Sequence, residues 1–201
     1  MRPEDRGGAT DHSPARLGAG DGPIEIVEYD PSWPAAYDAE RERLASLVPG
    51  VWIHHIGSSA VPGLAGKAVI DMIALVADLD AESAALLQRA GYELPARFNV
   101  DLVHRRFLCY PTAAYRTHHL HLVDELGGLD RCLRFRDTLR AHRQLAAEYV
   151  ALKRALAARF RGDREGYTKA KSSFINDADS QAGSLSGPLR DERSPIGTSR
   201  V

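Results

Sequence analysis

The run Val69-Ile70-Asp71-Met72-Ile73-Ala74-Leu75-Val76 constrains this chain more than any other segment, because every side chain in it except Asp71 is apolar. A continuous apolar stretch of this length, bounded by turn signals, reads as a strand covered on both faces, in the interior of a sheet with helices packed over it. Alternation puts Val69, Asp71, Ile73 and Leu75 on one face and Ile70, Met72, Ala74 and Val76 on the other. An ionised carboxylate in such a strand is costly unless it is paired, hydrogen-bonded or bound to a cation. Asp71 is therefore either the partner of a structural arginine or part of a working site.

The segments around this strand suit a single α/β domain. Residues 24–29 are β-rich and end in Asp30-Pro31-Ser32, a turn with Ser32 placed to cap a helix over 33–48. Pro49-Gly50 stops that helix, and 51–56 is a short strand running into Gly57-Ser58-Ser59. A loop with Pro62, Gly63, Gly66 and Lys67 leads to the Asp71 strand, and 80–90 is a helix ended by Gly91. Residues 100–110 and 117–123 read as a hairpin, and helices are expected over 129–142, 144–161 and 163–177. This order predicts an α/β (α+β) fold, a small mixed sheet flanked by helices with a helical C-terminal half. Residues 1–22 and 179–201, rich in Gly, Pro, Ser and Arg, read as disordered tails around a domain at 23–178.

Composition excludes several function classes. With 201 residues, 44% of them hydrophobic, the chain supports one core. Its net charge of −1 lacks the basic excess of a nucleic-acid binder, so any anion site must be local. Cys109 and Cys132 stand in no zinc or disulfide spacing. No apolar run approaches the ~20 residues that cross a bilayer, so no membrane is expected and the cytoplasm is the predicted location. Oligomeric state is not readable.

Three groups of residues carry chemistry. Gly57-Ser58-Ser59 follows a strand and offers backbone N–H groups and hydroxyls to a phosphate; a tight turn that needs glycine would look the same. In Thr117-His118-His119-Leu120-His121-Leu122-Val123, His119 and His121 share the face opposite Leu120 and Leu122. Two histidines at this spacing serve as metal ligands, proton carriers or phosphate contacts. Basic side chains on the later helices include Arg134, Arg136, Arg140, Lys153, Lys169 and Lys171, beside Tyr167. Solvated charge is their usual explanation, although Arg136 and Arg140, one turn apart, also suit a polyphosphate clamp.

The stretches IVEYDPSWPAAYDAE, HHIGSSAVPGLAGKAVIDMIALV, HHLHLV, LRFRDTLRAH, EYVALKRALAARF and REGYTKAKSSFI together resemble the GrpB family, within the wider nucleotidyltransferase superfamily. Related domains also occur fused to dephospho-coenzyme A kinase. The resemblance implies a nucleotidyltransferase-like fold and a nucleotide or phosphorylated small molecule as ligand. Gly57 and Ser58 match the superfamily's Gly-Ser and Asp71 its first acid, while the position of the second acid is Ile73. His119 or His121 takes the place of the third. Asp71, His119 and His121 are thus the implied catalytic and metal-ligating residues, with magnesium or a borderline transition ion as the implied metal. Gly57, Ser58, Ser59, Lys67, Arg136, Arg140, Tyr167 and Lys171 are the implied substrate-binding residues. Transfer on a nucleotide and non-catalytic binding of a nucleotide or coenzyme A both remain open.

Overall fold

A computed structural model of the chain describes residues 17–185, with side chains described up to residue 178. A mixed sheet is built from β1 (Ala19–Gly20), β2 (Trp52–Ile56), β3 (Ile70–Leu75), β4 (Arg105–Pro111) and β5 (Tyr115–Val123). Strand β3 is interior: it pairs antiparallel with β2 and parallel with β5. On β5, the antiparallel partner β4 runs along most of the strand and β1 pairs with its first two residues. Helices α1 (Trp33–Leu47) and α2 (Leu79–Ala90) precede the hairpin, and α3 (Leu126–Ala141), α4 (Arg143–Arg159), α5 (Arg164–Ala170) and α6 (Ser172–Leu185) form the helical second half.

Alternation divides the sheet into two unlike faces. Ile70, Met72, Ala74, Leu108, Leu120 and Leu122 point to one side and are fully buried. There they meet Trp33 and Leu44 of α1 and Leu79, Leu86 and Ala90 of α2 in the main core. The opposite face carries Asp71, Ile73, His119, His121, Arg105 and Phe107. It is covered only in part: Leu129, Cys132 and Leu133 of α3 pack on Ile56, Ile73 and Val123.

Local chemistry sets the element ends. Asp78 caps α2, its carboxylate accepting from the N–H groups of Asp80 at 2.9 Å and Ala81 at 3.0 Å, and Gly91 ends the helix in the left-handed conformation at φ 70°. At α1 the expected cap differs. Ser32 makes no capping bond with its side chain, and Asp30 instead accepts from the Ser32 N–H at 2.8 Å.

Three further expectations shift. Residues 24–29 form no strand, only a bridge between Val27 and Gly66. Ile24 instead packs on Leu156, Ala157 and Tyr167. The helix expected over 163–177 is two helices that meet at Lys171. Ala19–Gly20 pairs with β5 although it lies in the expected N-terminal tail, and α6 runs past residue 178 to Leu185; the remainder of both tails lies outside the described residues. Among the described residues no helix is long and apolar enough to cross a membrane.

Candidate functional site

The site starts from the register of β3 on β5, which makes Asp71 the direct neighbour of His119 and Ile73 that of His121. Parallel pairing keeps all four on one face. His119 Nδ1 lies 2.8 Å from Asp71 Oδ1. An ionised carboxylate only accepts, so the ring carries its proton on Nδ1 and donates it. Burial alone would raise the Asp71 carboxyl, but the hydrogen bond from His119, with the charge of Lys67 behind it, holds it well below the usual carboxylate range. Burial lowers His119, against the pull of Asp71, and leaves a neutral ring. Its Nε2 is buried with no hydrogen-bond partner.

His121 has a different neighbour. Its Nδ1 accepts from Arg105 of β4, 3.2 Å from Nε and 2.5 Å from a terminal nitrogen. Burial and the Arg105 charge together drive its pKa well below the ordinary imidazole value. The neutral ring therefore carries its proton on Nε2, which makes that nitrogen a donor. Phe107 packs between the two rings, with centroids 5.0 Å from His119 and 5.2 Å from His121.

Two glycines make room for the polar groups. Strand β2 ends opposite Asp71, and Gly57 turns the chain at φ 70° and ψ −166°, a region essentially closed to other residues. A Cβ on Gly57 would stand 2.6 Å from Asp71 Oδ2. A Cβ on Gly66 would stand 2.6 Å from Ser58 Cβ. The two cradles bring the Ser58 hydroxyl and the Asp71 carboxylate toward one cleft.

Lysines complete it. Lys153 of α4 is 2% exposed and donates to Ser58 Oγ at 2.8 Å and to the Ala65 carbonyl. Its ammonium lies 4.6 Å from the Tyr149 ring centre, and that of Lys171 lies 4.4 Å from the Tyr167 ring centre. The Lys67 ammonium approaches the same Tyr167 ring at 6.0 Å. Burial, followed by the charge of a neighbouring lysine, pulls Lys153 and Lys171 each down to about 7. Burial lowers Lys67 as well, and Asp71 pulls all three back up. Among the described residues none of the three has a carboxylate within ion-pair distance.

Other expected residues serve the fold instead. Ser59 is buried, with its hydroxyl 3.0 Å from His55 Nε2 and 3.5 Å from the Asp71 N–H, so it braces β2 against β3. Arg136 bonds the His55 carbonyl at 3.0 Å and the Asp137 carboxylate, and Arg140 bonds the Ala60 carbonyl at 2.8 Å. These two arginines fasten α3 to β2 and to the turn at Ser58–Ala60 rather than forming a free clamp. Tyr167 is 1% exposed and offers the lysines its ring face.

Sequence reading leaves out Lys153 and Arg105 as site residues. The signal for Lys153 is in the pattern: the buried residues of α4 are Tyr149, Lys153, Leu156 and Ala157, so the lysine occupies the helix's apolar stripe. Arg105 alternates with Phe107 and Cys109 on the site face of β4, but its contact with His121 is not visible from spacing.

The donor set does not fit a resident divalent metal. Among the described residues no three His, Cys, Asp or Glu converge on one point. One oxygen of Asp71 is taken by His119, Nδ1 of His121 is taken by Arg105, and Ile73 lies under α3. The ground around the carboxylate already holds Lys67, Lys153 and Lys171, whose charge opposes a dication.

Comparison with known proteins agrees with the fold. Residues 23–181 match the family described as GrpB protein. A UPF0157 protein of Pseudomonas aeruginosa is 39% identical over 78% of this chain and 66% of its own length. A second, YqkA of Bacillus subtilis, is 35% identical over 79% of this chain and 47% of its own. The chain thus spans roughly half to two thirds of these relatives. A protein of Mycolicibacterium paratuberculosis named dephospho-CoA kinase is 29% identical over 78% of this chain and 45% of that protein. The crystal structure of conserved protein GrpB from Enterococcus faecalis superposes with a TM-score of 0.69 at 30% identity, covering 80% of this chain and 98% of the other. With this family match over most of its length and the shared architecture, the chain belongs to the GrpB family.

Proposed function

We propose that this protein binds a nucleotide or another phosphorylated small molecule in the cleft between the Gly57-Ser58 turn and helices α4 to α6. The observation that carries this reading is the charge balance: Lys67, Lys153 and Lys171 all feel the charge of one carboxylate, and among the described residues none forms an ion pair with it. Buried or half-buried cations without counter-ions are costly, and an incoming phosphate supplies the missing charge. Lys153 also holds the Ser58 hydroxyl toward the cleft, which adds a neutral hydrogen-bonding group. The relative named dephospho-CoA kinase supports the same ligand class. A cytoplasmic location suits such a ligand.

Group transfer on a nucleotide is the second reading, favoured by the unpartnered Nε2 of His119. Asp71 is a weak base because its carboxyl lies so low, so it orients His119, and the imidazole Nε2 would accept the proton of an acceptor hydroxyl as that oxygen bonds to the α-phosphorus and pyrophosphate leaves. In that case a nucleoside triphosphate would release pyrophosphate and His119→Gln would stop the release.

Calorimetry with inorganic tripolyphosphate and ATP, each with and without magnesium, tests the binding reading. Lys153→Met and Lys171→Met are each expected to weaken binding about tenfold or more, the effect of a charge-assisted contact. Unchanged affinity in both variants would place the anion elsewhere and end the proposal.

A further inference from the structure

A cavity of about 490 Å³ opens beyond His121, on the same sheet face as Asp71. Two of its lining residues belong to the site already described. Ile73 is the cross-strand neighbour of His121, and Arg105 donates to the His121 ring. The cavity therefore continues the cleft along β3 and β5 toward the start of α3.

Its walls have two characters. Arg105 and Arg131 both line it, and their charges act on each other. Among the described residues neither guanidinium forms an ion pair. Glu125, also at the wall, lies 3.5 Å from His104, and the charges acting on Arg105 come from Cys132, Arg131 and Asp71. Asp101, the other acid of the wall, is exposed. Leu102 and Val103 add apolar lining, with Val103 74% exposed. Half-buried Arg105 and exposed Arg131 in the lining, together with aliphatic groups open to solvent, match a ligand with an anionic head and an apolar body.

We infer that this cavity is a binding site for a small amphipathic oxyanion, a carboxylate or phosphate ester with a short apolar chain, whose head lies between Arg105 and Arg131. Its role as the seat of a second substrate beside a nucleotide rests on the proposed phosphate cleft; its existence as a binding site does not.

Protein-observed NMR titration with hexanoate, hexyl phosphate and hexanol tests the assignment. Both anions are expected to shift the amides of Leu102, Val103 and Arg131 and to bind at least tenfold more tightly than hexanol. The tighter anion identifies the head group. Arg131→Glu, at an exposed helix position, should weaken both anions at least tenfold while leaving tripolyphosphate affinity unchanged. Lys153→Met should do the reverse. Equal binding of hexanol, anion binding untouched by Arg131→Glu, or anion binding lost in Lys153→Met would each overturn the inference. If tripolyphosphate fails to bind while hexanoate binds at Arg131, the phosphate cleft falls and the cavity stands as a separate anion site.

Discussion

The two faces of the central sheet are made by the same strands, yet they differ in every respect that matters for function. On the α1/α2 side, successive inward residues of β3 and β5 are Ile70, Met72, Ala74, Leu120 and Leu122, none of them exposed to solvent. The alternate residues of the same strands are Asp71, His119 and His121, bonded to one another or to Arg105, with His119 buried and the other two half-buried. The period of two lets one sequence stretch serve both purposes: the closed face secures the fold, and its rigidity holds the polar groups of the other face in place. A chain with only the first face would be stable and inert.

The largest expected effect comes from breaking the closed face. Leu120→Ala removes a fully buried side chain from the middle of the main core. Urea denaturation should show a loss of about 2–5 kcal/mol, with the transition still cooperative. The same deletion on the other face, His121→Ala, should cost less, because His121 is partly open and its partner Arg105 regains water. A loss at His121 equal to that at Leu120 would mean that the site face is structural.

An intermediate effect is expected where the two faces are joined at the end of β2. Gly57→Ala must adopt a backbone conformation nearly reserved for glycine, at a cost of about 1–3 kcal/mol. It also drives a methyl group against Asp71 Oδ2. Denaturation together with the Asp71 and His119 NMR resonances should report both a moderate destabilisation and a displaced carboxylate. Unmoved resonances would show that the turn does not position the site.

The smallest expected effect is on ligand affinity with pH. Lys153 and Lys171 titrate near 7 in the folded protein, below the ordinary lysine value. For an anion that needs them protonated, affinity should fall as pH rises through 7, by no more than about tenfold per pH unit for each lysine lost, or about 1.4 kcal/mol. Stability moves the other way. Between pH 7 and the unfolded lysine value the unfolded chain binds more protons, so the free protein should gain stability as pH rises through that window. Calorimetry of tripolyphosphate and urea midpoints at pH 6.5, 7.5 and 8.5 separates the two trends. Affinity that is flat with pH would remove the lysines from the binding reading.

Ile73 shows how a family pattern meets this packing. It stands where the superfamily has its second acid, on the same face as Asp71. The side chain is 1% exposed and packs with Ile56, Val123 and Leu129 under α3. Ile73→Asp would therefore bury an unpaired charge among apolar side chains instead of rebuilding an acid pair.

Much of the fold and of the site was legible because it rests on short periods. Alternation in 69–76 and 117–123 set the face of Asp71 within its strand and put His119 and His121 together within theirs, since side-chain direction in a strand depends only on neighbours in the chain; the parallel register of β3 on β5 then joined the two. Asp78 and Gly91 bound a helix through bonds a few residues long. What remained hidden depends on distant partners. The spacing of Arg136 and Arg140 shows that they share a helix face, but not that this face meets the carbonyls of His55 and Ala60, some eighty residues earlier. The division between α5 and α6 carries no Gly or Pro signal.

By itself, then, the sequence determined the mixed α/β class, the apolar strand with its single acid, and the shared face of His119 and His121, because local geometry repeats along the backbone. Only the tertiary structure decided that His119 rather than His121 bonds Asp71, that Arg105 claims His121, and that Lys153 lies inside the cleft with Lys67 and Lys171. Those outcomes turn on strand register and helix docking, where contacts between residues far apart in the chain choose among arrangements that local preference leaves equal.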